Sequence, residues 1–257
     1  MEPSKIFIAY YTVVRKDTVR MLRLWQQTFL PSVITTVLYF LVFGKFIGSQ
    51  LPPIHGFSYI LFIVPGLVMM QVITNAYSNT STALFMAKFM HNLDEMIVSP
   101  MPEWVIIAGY VTAGIIRGLI IGLLVLGTAL FFTHLTIYSI GAVLAAFILT
   151  CVLFSLGGFL NAMFAESFDS IAIVPTFVLT PLTFLGGVFY SISQFPEFWQ
   201  KVSLANPILY MVNIFRYGFL GVSDVNLGIA YAILITLTIV FLVLILWLFK
   251  KGIGLKN

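Results

Sequence analysis

Charge is scarce in this sequence. Acidic and basic side chains supply 9% of its 257 residues, against about a quarter in an average soluble domain. Hydrophobic residues supply 60%, more than one core of this size can hide, so part of that surface must face lipid. Cysteine is nearly absent as well. Cys151 stands alone inside an apolar run, which excludes an intrachain disulfide and leaves the redox compartment open. The three histidines, His55, His91 and His134, fall on separate loops without metal-ligand spacing. No GxxxxGK[ST] phosphate loop is present, since Gly44-Lys45 lacks both the earlier glycine and the following hydroxyl. No serine or cysteine is paired with a base, so the chain carries no catalytic residue of its own. All nine acids lie outside the apolar interiors, which removes the proton relay of a typical secondary carrier.

What the sequence does have is long apolar runs. Six spans are expected at 28–47, 58–81, 105–132, 140–165, 170–190 and 227–249, each near the ~20 residues that cross ~30 Å of hydrocarbon. The chain therefore reads as an all-α polytopic membrane protein, a single transmembrane domain over 1–257. The first run starts too late for a cleavable signal peptide. A short apolar patch at 207–220 contains Asn213 and Arg216, and a seventh crossing there would split the basic termini between two faces. Residues 191–224 are therefore expected outside, dipping into the membrane as short re-entrant helices.

The cations follow that topology. Lys5, Arg15, Lys16, Arg20, Arg23, Lys88, Lys250, Lys251 and Lys256 fall on one side and only Lys45, Lys201 and Arg216 on the other. The positive-inside rule places both termini in the cytoplasm. No basic stripe tracks a phosphate backbone, so a nucleic-acid partner is excluded. Residues 5–25 put Lys16, Arg20 and Arg23 on one helical face, the pattern of an amphipathic helix lying in the membrane interface.

Three features stand out against lipid. Within span two, Gln71, Thr74, Asn75, Ser78, Asn79 and Thr82 share one face, suited either to interhelical hydrogen bonding or to a water-accessible cavity. Within span three, Arg117 is the one charge expected deep in a span, at a cost of ~2.5–3.5 kcal/mol on insertion scales, so it must face protein or water. It sits beside Gly114, Gly118 and Gly122, a GxxxGxxxG ridge that lets another helix approach, and it could reach the amides of Gln71 or Asn75. Between spans two and three, Phe85, Met86, Phe89, Met90, Leu93, Met96 and Ile97 gather on one side of a helix over 84–99. Lys88, His91, Asn92, Asp94, Glu95 and Ser99 occupy the other, with His91 and Glu95 at i, i+4 and Pro100 and Pro102 ending the element.

The basic pre-span helix with LPSVITTVLYFLVFG (30–44), HGFSYILFIVPGLVMM (55–70), IIAGYVTAGIIRGLIIG (106–122), FDSIAIVPTFVLTPLTFLGGVFYSISQFPEFWQ (168–200) and NPILYMVNIFRYGFLG (206–221) together resemble the permease subunit of an ABC-2-type transporter. The resemblance covers essentially the whole chain. It implies a six-span exporter subunit of the bacterial inner membrane, a homodimer that pairs with two copies of a separate ATP-binding subunit holding ATP and magnesium, with no cofactor on this chain. It implies that 84–99 is the coupling helix, with Phe85, Phe89, His91, Asn92, Asp94 and Glu95 against the ATPase, and that 5–25 is a connecting helix. It implies short external helices after span five. A gradient-driven carrier or channel is the rival reading, opposed by the missing intramembrane acids and the lack of an inverted repeat.

Overall fold

The computed structural model describes residues 2–254, so Lys256 lies outside the described residues. Among the described residues, ten helices and a separate 3-10 turn at Ile192–Gln194 follow in chain order, and no strand occurs. Helix α1 is Pro3–Arg23. Among the described residues, six helices are long and apolar enough to cross a membrane: α2 (Trp25–Gln50), α3 (Tyr59–Phe89), α5 (Glu103–Ala129), α6 (Ile140–Phe164), α7 (Phe168–Leu185) and α10 (Leu227–Lys250). The short helices are α4 (Asn92–Val98), α8 (Glu197–Leu204) and α9 (Pro207–Leu220).

Local sequence accounts for the helix ends and breaks. Ser139 caps α6 by accepting from the Ala142 amide, Asn206 caps α9 and Asn226 caps α10. Ser167 and Ser170 form a capping box at the start of α7. That helix then widens into a π-helical stretch over Val174–Leu179, where Pro175 cannot supply an amide to the helical ladder. A second π-helical stretch, Phe40–Ile47, occupies the far half of α2.

Helix α3 is the axis of the bundle. It packs along α6 and α5, while α9 wedges among α3, α6 and α10. Small residues set the closest approaches. A side chain at Gly158 would place its Cβ 2.3 Å from the Tyr77 carbonyl oxygen, and one at Gly66 would lie 2.6 Å from that of Val188. By contrast, α2 and α7 lie at the margins and leave most of their apolar surface uncovered. Helix α1 lies against α5, with Val13 over Gly109 and the Tyr10 and Thr112 hydroxyls 2.8 Å apart.

Two expectations need correction. The single helix over 84–99 is two: α3 continues to Phe89, His91 takes a left-handed φ of 58°, and α4 starts at Asn92. The apolar arc of that segment is therefore divided, with Phe85, Met86 and Phe89 on α3 and Leu93, Met96 and Ile97 on α4, and Phe85 is buried edge-on against Phe168. Lys88, assigned to the polar face, is also buried, because its ammonium donates to the Met163 and Ala165 carbonyls at the end of α6. Those carbonyls have no intrahelical partner, and a cation there also complements the helix dipole. Arg216, counted among the cations of the outward side, is shielded by protein. It is 1% exposed inside α9, a helix about 21 Å long and too short to cross the bilayer.

Candidate functional site

The expected polar stripe of α3 divides along its length. Gln71, Asn75 and Asn79 are buried, Ser78 is half-buried, and Thr74 and Thr82 are exposed. Asn75 is the hub of the buried edge. Its amide nitrogen donates to the Ser32 hydroxyl of α2 at 3.0 Å and to the Gln71 carbonyl. Its amide oxygen accepts from Arg117 Nε at 3.2 Å and from a terminal guanidinium nitrogen at 3.1 Å. Arg117 is thus held between α2, α3 and α5, and of the two amides it could reach it takes Asn75. The ion stays solvated by protein in a setting where an unpaired charge is costly.

The glycine ridge on α5 makes that approach possible. A Cβ at Gly114 would strike the Ser155 and Thr80 hydroxyls, one at Gly118 would lie 2.6 Å from Cys151 Sγ, and one at Gly122 would lie 2.5 Å from the Phe147 ring. The ridge therefore admits α6 on one side and α3 on the other. Beside the exposed Thr82, half-buried Ser78 and buried Ser81 join it in facing Phe168, Ile171 and Thr176 of α7 across a cavity of about 280 Å³. The uncovered edge of α3 is bounded by α2 near Asn75 and by α7 near Thr82.

At the α1 end of the bundle, α4 presents charge. His91, Asp94 and Glu95 are exposed, Asn92 is half-buried, and Leu93 anchors the helix in the core. His91 Nδ1 lies 3.0 Å from Asp94 Oδ2 rather than pairing with Glu95. The left-handed turn at His91 takes it off the helical register on which the i, i+4 pair depends. Phe89 is exposed at the tip of α3 and packs on Phe168, so α3, α4 and the start of α7 meet there. On α1, Arg15, Lys16, Arg20 and Arg23 line a basic groove of about 550 Å³. Asp17, on the same helix, is buried with one carboxylate oxygen unpartnered. Burial raises its pKa above the ordinary 3.8, only partly offset by Arg20 and Lys16.

At the opposite end lies a polar knot that sequence patterning missed. The Arg216 guanidinium donates to the Gly187 and Phe62 carbonyls at 2.6 and 3.4 Å, stacks 3.8 Å from the Phe62 ring centroid, and approaches Asp224 to 3.9 Å. Asp224 accepts from the Ser191 hydroxyl at 2.8 Å and the Ile192 amide, and sits 3.0 Å from His55 Nε2. Asn213 Oδ1 accepts from the Asp224 amide. The knot ties the α2–α3 loop to the segments before α8 and α10. Its one signal in sequence was a cation within an apolar patch, with an acid eight residues later.

The ABC-2 type transporter family model matches residues 8–220. Over 251 residues, 98% of each chain, the sequence is 50% identical to the inner membrane transport permease YadH of Escherichia coli K12. It is 23% identical to nodulation protein J of Rhizobium leguminosarum bv. viciae, covering 85% of this chain and 87% of that protein. The corresponding protein of Rhizobium meliloti 1021 is 24% identical over 80% of each.

Proposed function

Because the chain belongs to the ABC-2 type transporter family, we propose that it is the membrane-spanning half of an ATP-driven exporter in a bacterial inner membrane. Two copies assemble with two separate ATP-binding subunits, which hold the nucleotide and magnesium. The termini, α1 and α4 face the cytoplasm. The observation that carries this reading is the junction of α3 and α4. A short helix with exposed His91, Asp94 and Glu95 is fastened through buried Leu93 to the helix on which the bundle packs. Force applied to α4 is transmitted to α3, since a close-packed interior moves as a unit rather than deforming continuously. Asn92 and Phe89 extend the contact surface, and the basic face of α1 adds a second one. Phe85 acts from inside, holding the start of α7 to α3.

Pairing of two copies is supported by the uncovered margins. Helices α2 and α7 flank the exposed hydroxyls of Thr74 and Thr82. A second copy set against them encloses a polar-edged passage, with Arg117 and Asn75 at its buried border. The energy for transport comes from the nucleotide on the partner subunits.

The test is affinity purification of the chain in mild detergent from its host membrane. A stoichiometric partner with a phosphate-binding loop is expected. Asp94→Lys with Glu95→Lys should leave membrane insertion intact and abolish stimulation of that partner's ATP hydrolysis. Recovery of intact complexes of other transporters, with no such ATPase on this chain, would overturn the proposal.

A further inference from the structure

On the side of α3 away from the polar edge, α3, α6, α7 and α10 enclose a groove of about 420 Å³. Its walls are almost wholly apolar, including Phe154, Leu179, Leu237 and Phe241. One lining group is out of character. Tyr77 is 2% exposed, yet its hydroxyl has no hydrogen-bond partner. A buried hydroxyl left without a partner costs about 1–3 kcal/mol, so the groove contains an unmet demand for an acceptor. A second feature keeps it open: a Cβ at Gly157 would stand 3.6 Å from the Tyr77 ring and 3.7 Å from that of Phe241. The glycine therefore leaves a gap between two aromatic rings without being needed for close helix approach.

The groove opens toward lipid, since Phe164 and Val178 at its rim are about half exposed. Its polarity varies with depth. Tyr77 lies about 27 Å along α3 from Tyr59, and Asn161 about 32 Å along α6 from Ile140. Counted instead from the α1-side end of α6 at Phe164, Asn161 lies about 4.5 Å along the helix and Gly157, on which Tyr77 packs, about 10 Å, so the two polar residues occupy the α1-side half of the groove, inside the hydrocarbon edge. The rest of the groove, toward Leu182 and Pro207, is deeper and apolar. That gradient matches an amphiphile whose carbonyl group enters from the α1 side and whose chain runs further inward. The outer wall is the π-helical stretch of α7, which few other elements cover.

We infer that this groove binds one acyl chain of a bilayer glycerolipid from the leaflet on the α1 side, with the Tyr77 hydroxyl donating to an ester carbonyl of that lipid. The site is separate from the polar edge of α3 and does not depend on the identity of the exported molecule or on the ATPase.

The experiment places the purified chain in vesicles of phosphatidylethanolamine and phosphatidylglycerol doped with a phosphatidylethanolamine carrying a diazirine in one acyl chain. Adducts formed on illumination are mapped by mass spectrometry. They should concentrate on Leu153, Phe154 and Phe241 relative to Leu123, which is exposed on α5. Gly157→Leu fills the gap and should remove groove adducts while leaving those at Leu123. Gly157→Ala adds only a methyl at ordinary contact distance and should keep them. Tyr77→Phe preserves the shape and should lower groove labelling by about fivefold, the worth of one hydrogen bond. It should not change labelling by a diazirine alkane that has no ester. Groove labelling no denser than at Leu123 overturns the inference, as does equal ester-lipid labelling of Tyr77→Phe and wild type. If Gly157→Leu fails to assemble, the Tyr77→Phe comparison decides.

Discussion

Replacing Asp224 by asparagine tests whether Arg216 is a structural charge. The substitution keeps the shape of the side chain and removes the anion nearest a guanidinium that is 1% exposed. At 3.9 Å and an effective dielectric constant of about 20, the attraction is worth about 4 kcal/mol. Loss of one member of a buried pair is measured at about 3–5 kcal/mol, because the survivor is stranded. The Gly187 and Phe62 carbonyls and the Phe62 ring still share the positive charge. That places Asp224→Asn at the low end, about 3 kcal/mol, or about 6–12 °C in Tm for a chain of this size. Thermal unfolding in detergent, followed by intrinsic fluorescence, measures it against exposed Glu197→Gln, which should change stability by less than about 0.5 kcal/mol. In a double-mutant cycle, Arg216→Met with Asp224→Asn should cost less than the sum of the single changes. An Asp224→Asn protein that melts with wild type, or strictly additive single effects, would refute the assignment.

Gly158→Ala should destabilise more than Gly118→Ala in the same unfolding assay, since the new methyl meets the Tyr77 backbone in one case and the Cys151 side chain in the other. The reverse order would show that α3 and α6 are not in the contact described. Cysteines at Thr74 and Thr82 should react with a water-soluble maleimide in the unassembled chain, while those at Asn75 and Asn79 should be protected. Equal labelling at all four positions would sink the division of the stripe. For Asp17 the folded-state pKa is raised, so the native state binds more protons than the unfolded one just above pH 3.8. This contribution therefore favours folding at low pH and is lost as pH rises through the folded-state value. Asp17→Asn should flatten that part of the Tm-against-pH curve, and an unchanged slope would count against burial of the carboxylate.

Much of the architecture was legible in the sequence because lipid imposes a length and a polarity on each crossing. The six spans, their order and the amphipathic α1 follow from apolar runs of ~20 residues and from the spacing of Lys16, Arg20 and Arg23. The glycine spacing of α5 and the proximity of Arg117 to Asn75 were also within reach, since both depend on helical periodicity and on the cost of a lone charge in lipid. Periodicity carried no information about where a helix stops when both continuations are apolar. It could not show that α3 runs on to Phe89, that the backbone turns left-handed at His91, or that Lys88 leaves its helix to satisfy carbonyls of α6. Arg216 and Asp224 mark the same boundary most clearly. The count of cations assigned Arg216 to a side of the membrane and carried nothing about its surroundings, whereas the tertiary structure buries it by supplying an acid, two carbonyls and an aromatic ring from separate parts of the chain. A run of residues determines whether a segment can lie in oil; which partners make a buried charge tolerable is decided only when distant segments meet.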